Sequence, residues 1–251
     1  MFPAVRPPPL PHQLDVLHRV LERVSGQAGA GGPPPLVVFD LDGTLYDNRP
    51  RTLQILMEYA DEVRGEFPDV AAALATLEAN RVQYLLSETL RECALTHMDV
   101  QRDVTQYWRE RFFHDDYIPY DGVTEGASEY VRACHEAGAV VVYMTGRDIP
   151  SMLLGTMASL RDQGFPIGVA GVEVVLKPDA TLPDEAFKRS SLPTLQRVGE
   201  LVAFFDNEPA NCNLARQVYP ESIVALIDTQ SVPGAPPLDP GVELITDFRL
   251  L

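Results

Sequence analysis

The stretch LVVFDLDGTLYD, residues 36 to 47, restricts the possible folds more than any other part of the chain. Leu36, Val37, Val38 and Phe39 form an apolar run, rich in β-branched and aromatic side chains and entered from a Gly/Pro segment. Such a run reads as a short strand buried on both faces, the kind found in parallel sheets covered by helices. Asp40 stands at its C-terminal end. In extended backbone, residues i and i+2 point the same way, so Asp40 and Asp42 project together while Leu41 turns toward the core. Two carboxylates so close repel, and either a cation holds both ionised or one of them carries a proton.

The same strand signal recurs as AVVVYM (139–144), VEVVL (172–176), LVAFF (201–205) and SIVALI (222–227). Helical patterns separate these runs: VTEGASEYVRACHEAG with Thr124 as N-cap and Gly138 past its end, PSMLLGTMASLRDQG, residues 184–198, and PANCNLARQVY. The alternation predicts an α/β fold, a Rossmann-like and mostly parallel sheet flanked by helices. Residues 11–25 carry a further helical period, and 26–35 read as a Gly/Pro linker. Between residues 48 and 118 apolar positions keep helical spacing with no strand pattern among them. The expected organisation is therefore an α/β core of residues 1–47 and 119–251 with a smaller all-helical cap at 48–118. Asn48 to Arg49 and Ile118 to Pro119 are the expected hinges.

A chain of 251 residues with 45% hydrophobic content can bury a core of that size. Its formal net charge of -16 opposes encounter with nucleic acid or an anionic membrane, while a local cation could still attract a phosphorylated small molecule. The N-terminal MFPAVRPPPLPHQLD lacks the apolar stretch of a signal peptide and no later segment reads as a membrane span, which leads to the expectation of a cytoplasmic location. Cys93, Cys134 and Cys212 have no CxxC spacing and read as buried small hydrophobes.

Ligand sites of open α/β sheets lie beyond the C-terminal ends of the strands. After AVVVYM come Thr145, Gly146, Arg147 and Asp148, with Pro150 opening a helix. A Thr hydroxyl and the N–H groups of a Gly-containing turn make a phosphate cradle, although Thr145 could instead cap the helix. After LVAFF come Asp206, Asn207 and Glu208. Acidic ends aimed at one place suit a hard cation bound through oxygen.

DLDGT at 40–44, TGR at 145–147, a downstream lysine and FFDNEPAN at 204–211 together resemble the four ordered motifs of the haloacid dehalogenase superfamily. The resemblance implies a phosphatase in which Asp40 attacks phosphorus to form an aspartyl-phosphate that water hydrolyses. Mg²⁺ would be bound by Asp40, the backbone carbonyl of Asp42 and Asp206, with Thr145 and the Gly146 N–H holding the phosphoryl oxygens. Asp42 would be the general acid and then the base, titrating near neutral pH. Lys188 matches the usual position of the family's lysine better than Lys177, which directly follows VEVVL. Asp42 also favours phosphatase or phosphomutase chemistry over dehalogenation, and Asn207 departs from the family by standing where many members carry a second acid. The expected activity is Mg²⁺-dependent hydrolysis of a phosphomonoester of a small metabolite. The alternatives are a phosphomutase or a protein that binds a phosphorylated ligand without turnover, and, disfavoured by the acidic balance, a nucleic-acid-end phosphatase.

Overall fold

The computed structural model describes residues 11–250. The first ten residues of the N-terminal segment discussed above lie outside them. In chain order the elements are α1 (Pro11–Ala28), β1 (Pro35–Phe39), β2 (Tyr46–Asp47), α2 (Arg49–Val63), α3 (Pro68–Leu74), α4 (Leu86–Glu92) and α5 (Met98–Phe112). They continue with β3 (Gly122–Val123), α6 (Ala127–Glu136), β4 (Val140–Asp148), α7 (Ile149–Asp162), β5 (Val172–Lys177) and α8 (Asp184–Ser191). The last are β6 (Glu200–Asp206), α9 (Pro209–Val218), β7 (Ile223–Ile227) and β8 (Val242–Ile245).

β1 occupies the middle of a six-stranded sheet of order β5-β4-β1-β6-β7-β8, in which every pairing is parallel. The period of two along each strand splits its side chains between two cores. Val37, Phe39, Val141, Tyr143 and Phe205 face α1 and α6, while Leu36, Val38, Val142, Met144 and Phe204 face α8 and α9. Burial on both faces is why these segments read as continuous apolar runs. The expected Rossmann-like α/β fold is the observed one, and α1 packs as part of it. Gln13 locks that helix to the C-terminal segment, donating to Asp247 at 2.7 Å and accepting from Thr246.

The helices α2 to α5 gather on a separate apolar cluster that includes Leu56, Tyr59, Leu74, Leu90 and Val104. The chain leaves and re-enters the α/β core through one antiparallel ribbon, with Tyr46 opposite Val123 and Asp47 opposite Gly122. All three cysteines are buried and unpaired, and no described helix is long and apolar enough to cross a membrane.

Local expectations fail in four places. The helix read from VTEGASEYVRACHEAG begins at Ala127 behind Gly126, whose φ is 74°, and Thr124 makes no side-chain cap. A Cβ on Gly126 would lie 2.6 Å from the backbone of Phe248, so the C-terminal segment dictates the turn. The helix expected over 184–198 gives way to a 3₁₀ turn at Leu192–Arg197, because Pro193 lacks an N–H and clashes with the preceding turn. TGR lies within β4 rather than in a turn at a helix N-terminus. Finally, β8 is a strand that the sequence pattern did not reveal.

Candidate active site

β1 and β6 are adjacent and parallel, and their C-terminal ends deliver Asp40 and Asp206 side by side. The Asp40 N–H donates to the Phe205 carbonyl at 2.9 Å, which fixes the nucleophile candidate to the neighbouring strand. The Lys188 ammonium, from the middle of α8, donates to Asp40 Oδ1 at 2.6 Å and to Asp206 Oδ2 at 2.6 Å. All three side chains are buried. Asp206 Oδ1 also accepts from the Glu208 N–H and from the Asn211 amide.

One ammonium between two buried carboxylates leaves a deficit of positive charge. Burial pushes the Asp40 carboxyl up, Lys188 pulls it down, and Asp206 and Asp42 push it up again, with a net rise to about 8. Burial disfavours the charge on Lys188, yet Asp206 and Asp40 outweigh it and hold the ammonium protonated.

The loop after β1 is tight. Gly43 has φ 79° and donates to the Tyr46 carbonyl at 2.7 Å, and a Cβ there would fall 2.3 Å from the Asn207 amide. Glycine is required by both the backbone and the neighbour. The Asn207 amide accepts from the Thr44 hydroxyl and donates to the Gln230 carbonyl at 2.6 Å, so it ties loops together.

Asp42 has a different environment from Asp40. Arg147 grips it with a fork, Nε to Oδ2 at 2.9 Å and Nη2 to Oδ1 at 2.6 Å. Arg51, from the first turn of α2, reaches the same Oδ1 at 3.2 Å, and the Asn48 amide donates to it at 2.7 Å. Both arginines also pair with the buried Asp121, Arg147 at 2.8 Å and Arg51 through Nε at 2.7 Å. Burial alone would raise the Asp42 carboxyl, but Arg147, with help from Arg51 and Asn48, holds it well below the usual carboxylate range. The expectation that Asp42 titrates near neutral pH is therefore corrected: Arg147, the last residue of TGR, and Arg51, which lies in no motif, keep it ionised.

A family model of haloacid dehalogenase-like hydrolases matches residues 34–181, more than half of the chain. The chain belongs to this hydrolase family. Among solved structures, a HAD-superfamily hydrolase of subfamily IA from Geobacter sulfurreducens is 16% identical, with a TM-score of 0.52 over 87% of this chain and 95% of that one. A phosphatase candidate from Clostridium difficile is 15% identical, with a TM-score of 0.52 over 80% and 88% of the two chains. Protein tyrosine kinase A from Mycobacterium tuberculosis, 15% identical, gives 0.51 over 86% and 94%. These likenesses carry the fold. No curated protein matches the sequence.

For a hydrolase of this family the remaining candidate residues fall as follows. Lys188 contacts Asp40, whereas Lys177 donates to Asp184 at 2.6 Å. Thr145 is fully buried, and its hydroxyl accepts from the Arg147 N–H at 3.1 Å. It does not cap α7, which is capped by Asp148 through the Ser151 N–H. Gly146 lies at a register shift of β4 against β5, lines the cavity above Asp40, and would meet the Asp184 carboxylate at 2.5 Å if it carried a Cβ. Arg51 and Asp121 went unread in the sequence. They are 70 residues apart and belong to no motif, so only the fold brings them together.

Proposed function

We propose that this chain is a metal-dependent phosphatase in which Asp40 is the nucleophile and residues 48–118 form a cap over the site. The observation that carries the reading is the Lys188 ammonium bridging Asp40 and Asp206 at the ends of adjacent strands. Lys188 holds Oδ1 and so presents Oδ2 of Asp40 to an incoming phosphoryl group. Attack forms an aspartyl-phosphate, and water hydrolyses it in a second step.

The donor set suits a hard divalent cation such as Mg²⁺. It consists of the Asp40 and Asp206 carboxylates and the Asp42 carbonyl, all oxygen, in a buried place short of positive charge. Asp42 gives its carboxylate to Arg147 and would offer the metal only its main-chain oxygen. A cation so held would neutralise the charge that otherwise repels a phosphate dianion from a carboxylate.

Asp42 is assigned to take a proton from the attacking water, and because its bond to Arg147 leaves it ionised but weakly basic, that step requires the fork to loosen. To act as an acid it must first leave Arg147. Thr145 and the Gly146 N–H are assigned to the phosphoryl oxygens; Gly146 lines the cavity, whereas Thr145 is fully buried and would need the Arg147 segment to shift before its hydroxyl met a substrate.

The cap assignment rests on the separate apolar cluster of α2 to α5 and on Trp108, Phe112 and Tyr84, which line the same cavity as Asp40. The deciding experiment is hydrolysis of p-nitrophenyl phosphate by the purified chain with added Mg²⁺ and with a chelator. Turnover that depends on the metal and disappears in Asp40→Asn supports the reading, and turnover indifferent to both contradicts it.

A further inference from the structure

The cavity above Asp40 has a volume of about 970 Å³. That lies at the upper end for a small-molecule site and far exceeds what a bare phosphate needs. Its walls carry a definite chemistry.

One wall is an aromatic ridge on the last turns of α5. Trp108 stacks on Phe112 at 4.5 Å, and Phe113 meets Phe112 edge to face at 5.0 Å. Two contacts hold the ridge still: the indole N–H donates to the Thr52 hydroxyl at 3.1 Å, and the Arg51 guanidinium lies 4.4 Å above the Phe112 ring. Arg51 also donates to the Phe112 carbonyl at 2.9 Å, which joins the ridge to the Asp42 network. A further aromatic, Tyr84, lines the cavity from the segment ahead of α4, as does Glu208 from the core. Gln230 from the core donates to the Val82 carbonyl at 2.7 Å and so anchors that segment.

The charged side chains of the lining are mostly acidic. Among the described residues that line the cavity, each cation already has carboxylate partners. Arg49 is forked by Asp47 at 2.8 and 2.7 Å, Arg147 is held by Asp42 and Asp121, and Lys188 by Asp40 and Asp206. A second anionic group on a substrate would find no cation to receive it and would face Asp184, Glu208 and Asp228. An aromatic group finds rings held in place, at little entropic cost.

We infer that this site takes phosphomonoesters whose leaving group carries a neutral or cationic aromatic ring, and that it discriminates against esters bearing a second anionic group. The inference rests on the phosphatase reading for the position of the phosphate, and names the substrate class of that same site.

Calorimetry with non-hydrolysable phosphonates, in Mg²⁺, separates the two. Benzylphosphonate is expected to bind at least about tenfold more tightly than propylphosphonate, the order of one aromatic contact. 4-Carboxybenzylphosphonate is expected to lose that gain, and 4-(aminomethyl)benzylphosphonate to keep it. The matching phosphate esters, all primary alkyl leaving groups, should follow the same order in kcat/KM, with the difference in KM. Phe113→Ala, at a ring 45% exposed on the ridge, should narrow the benzyl-to-propyl ratio, and Phe113→Tyr should restore it. Equal binding of the benzyl and propyl compounds, or tighter binding of the carboxylate, overturns the inference even if p-nitrophenyl phosphate is hydrolysed. The expected binding order without any turnover supports the inference and counts against the phosphatase reading alone.

Discussion

Arg147 holds Asp42 through two parallel N–H···O contacts of 2.9 and 2.6 Å, and with Arg51 it shares the buried carboxylate of Asp121. Arg51 is fully buried and stands in the first turn of α2, while Asp42 and Asp121 flank the ribbon by which the chain leaves and re-enters the core. The two arginines thus join the loop after β1, the ribbon and the helical block in one network. Such networks tolerate removal of one member poorly, because the remaining charge is left buried and unpaired.

Arg51→Met is accordingly expected to lower unfolding stability by about 3–5 kcal/mol in a denaturant titration. Arg51→Lys should recover little of it, since an ammonium cannot reproduce contacts to Asp121, Asp42 and the Phe112 carbonyl together. A loss within 1 kcal/mol, roughly that of a surface pair, would show that water reaches the network.

The two lysines should separate in a steady-state assay. Lys188→Ala removes the ammonium shared by Asp40 and Asp206 and is expected to cost about 10²-fold or more in kcat. Lys177 pairs with an Asp184 side chain that is 64% exposed, so Lys177→Ala is expected to stay within about fivefold. The reverse ranking would move the role to Lys177.

Stability should depend on pH in a direction set by Asp40. Its carboxyl is raised to about 8, above the value of about 4 for an unfolded aspartate. Between these values the folded chain keeps a proton that the unfolded chain has released, so rising pH favours unfolding when no metal is bound. This stabilisation is fully present below about pH 4 and is lost as pH rises through about 8. With a chelator the melting temperature is therefore expected to fall between about pH 5 and 8, while added Mg²⁺ should raise it more at the upper end. Asp40→Asn should flatten the chelator profile. An unchanged slope in that variant would assign the dependence to other groups.

Much of this site could be read from the chain because its parts are local. Asp40, Asp42 and Gly43 are set by one strand end, and the apolar runs of β1, β4, β6 and β7 announce burial on both faces. β8 escaped notice because it is a four-residue edge strand, half-exposed and preceded by a Pro/Gly-rich stretch with no alternation to detect. Gly126 displaced the expected Thr124 cap through contact with Phe248, 122 residues onward. The Arg51, Arg147 and Asp121 network depends on the ribbon between β2 and β3, and no periodicity encodes that pairing. Its consequence for Asp42 is correspondingly the largest correction that the structure makes to the sequence reading.

Asp42 is the group assigned to take a proton from water, so Asp42→Asn should slow breakdown of the phosphorylated protein more than its formation when the leaving group needs no proton. With p-nitrophenyl phosphate this variant should release a burst of nitrophenol of about one equivalent and then turn over slowly. Absence of a burst with a uniformly slowed steady state would place the defect in the first step.

That variant also gives the most direct test of Asp40 as a nucleophile. Asp42→Asn, mixed with p-nitrophenyl phosphate and Mg²⁺, quenched in acid and digested, should yield the peptide containing Asp40 heavier by one phosphoryl group. The same treatment of the Asp40→Asn, Asp42→Asn double variant should give no phosphorylated peptide. Steady hydrolysis by the wild-type chain with no phosphoryl group on Asp40 in any quenched sample, or the group found on another residue, would contradict the mechanism.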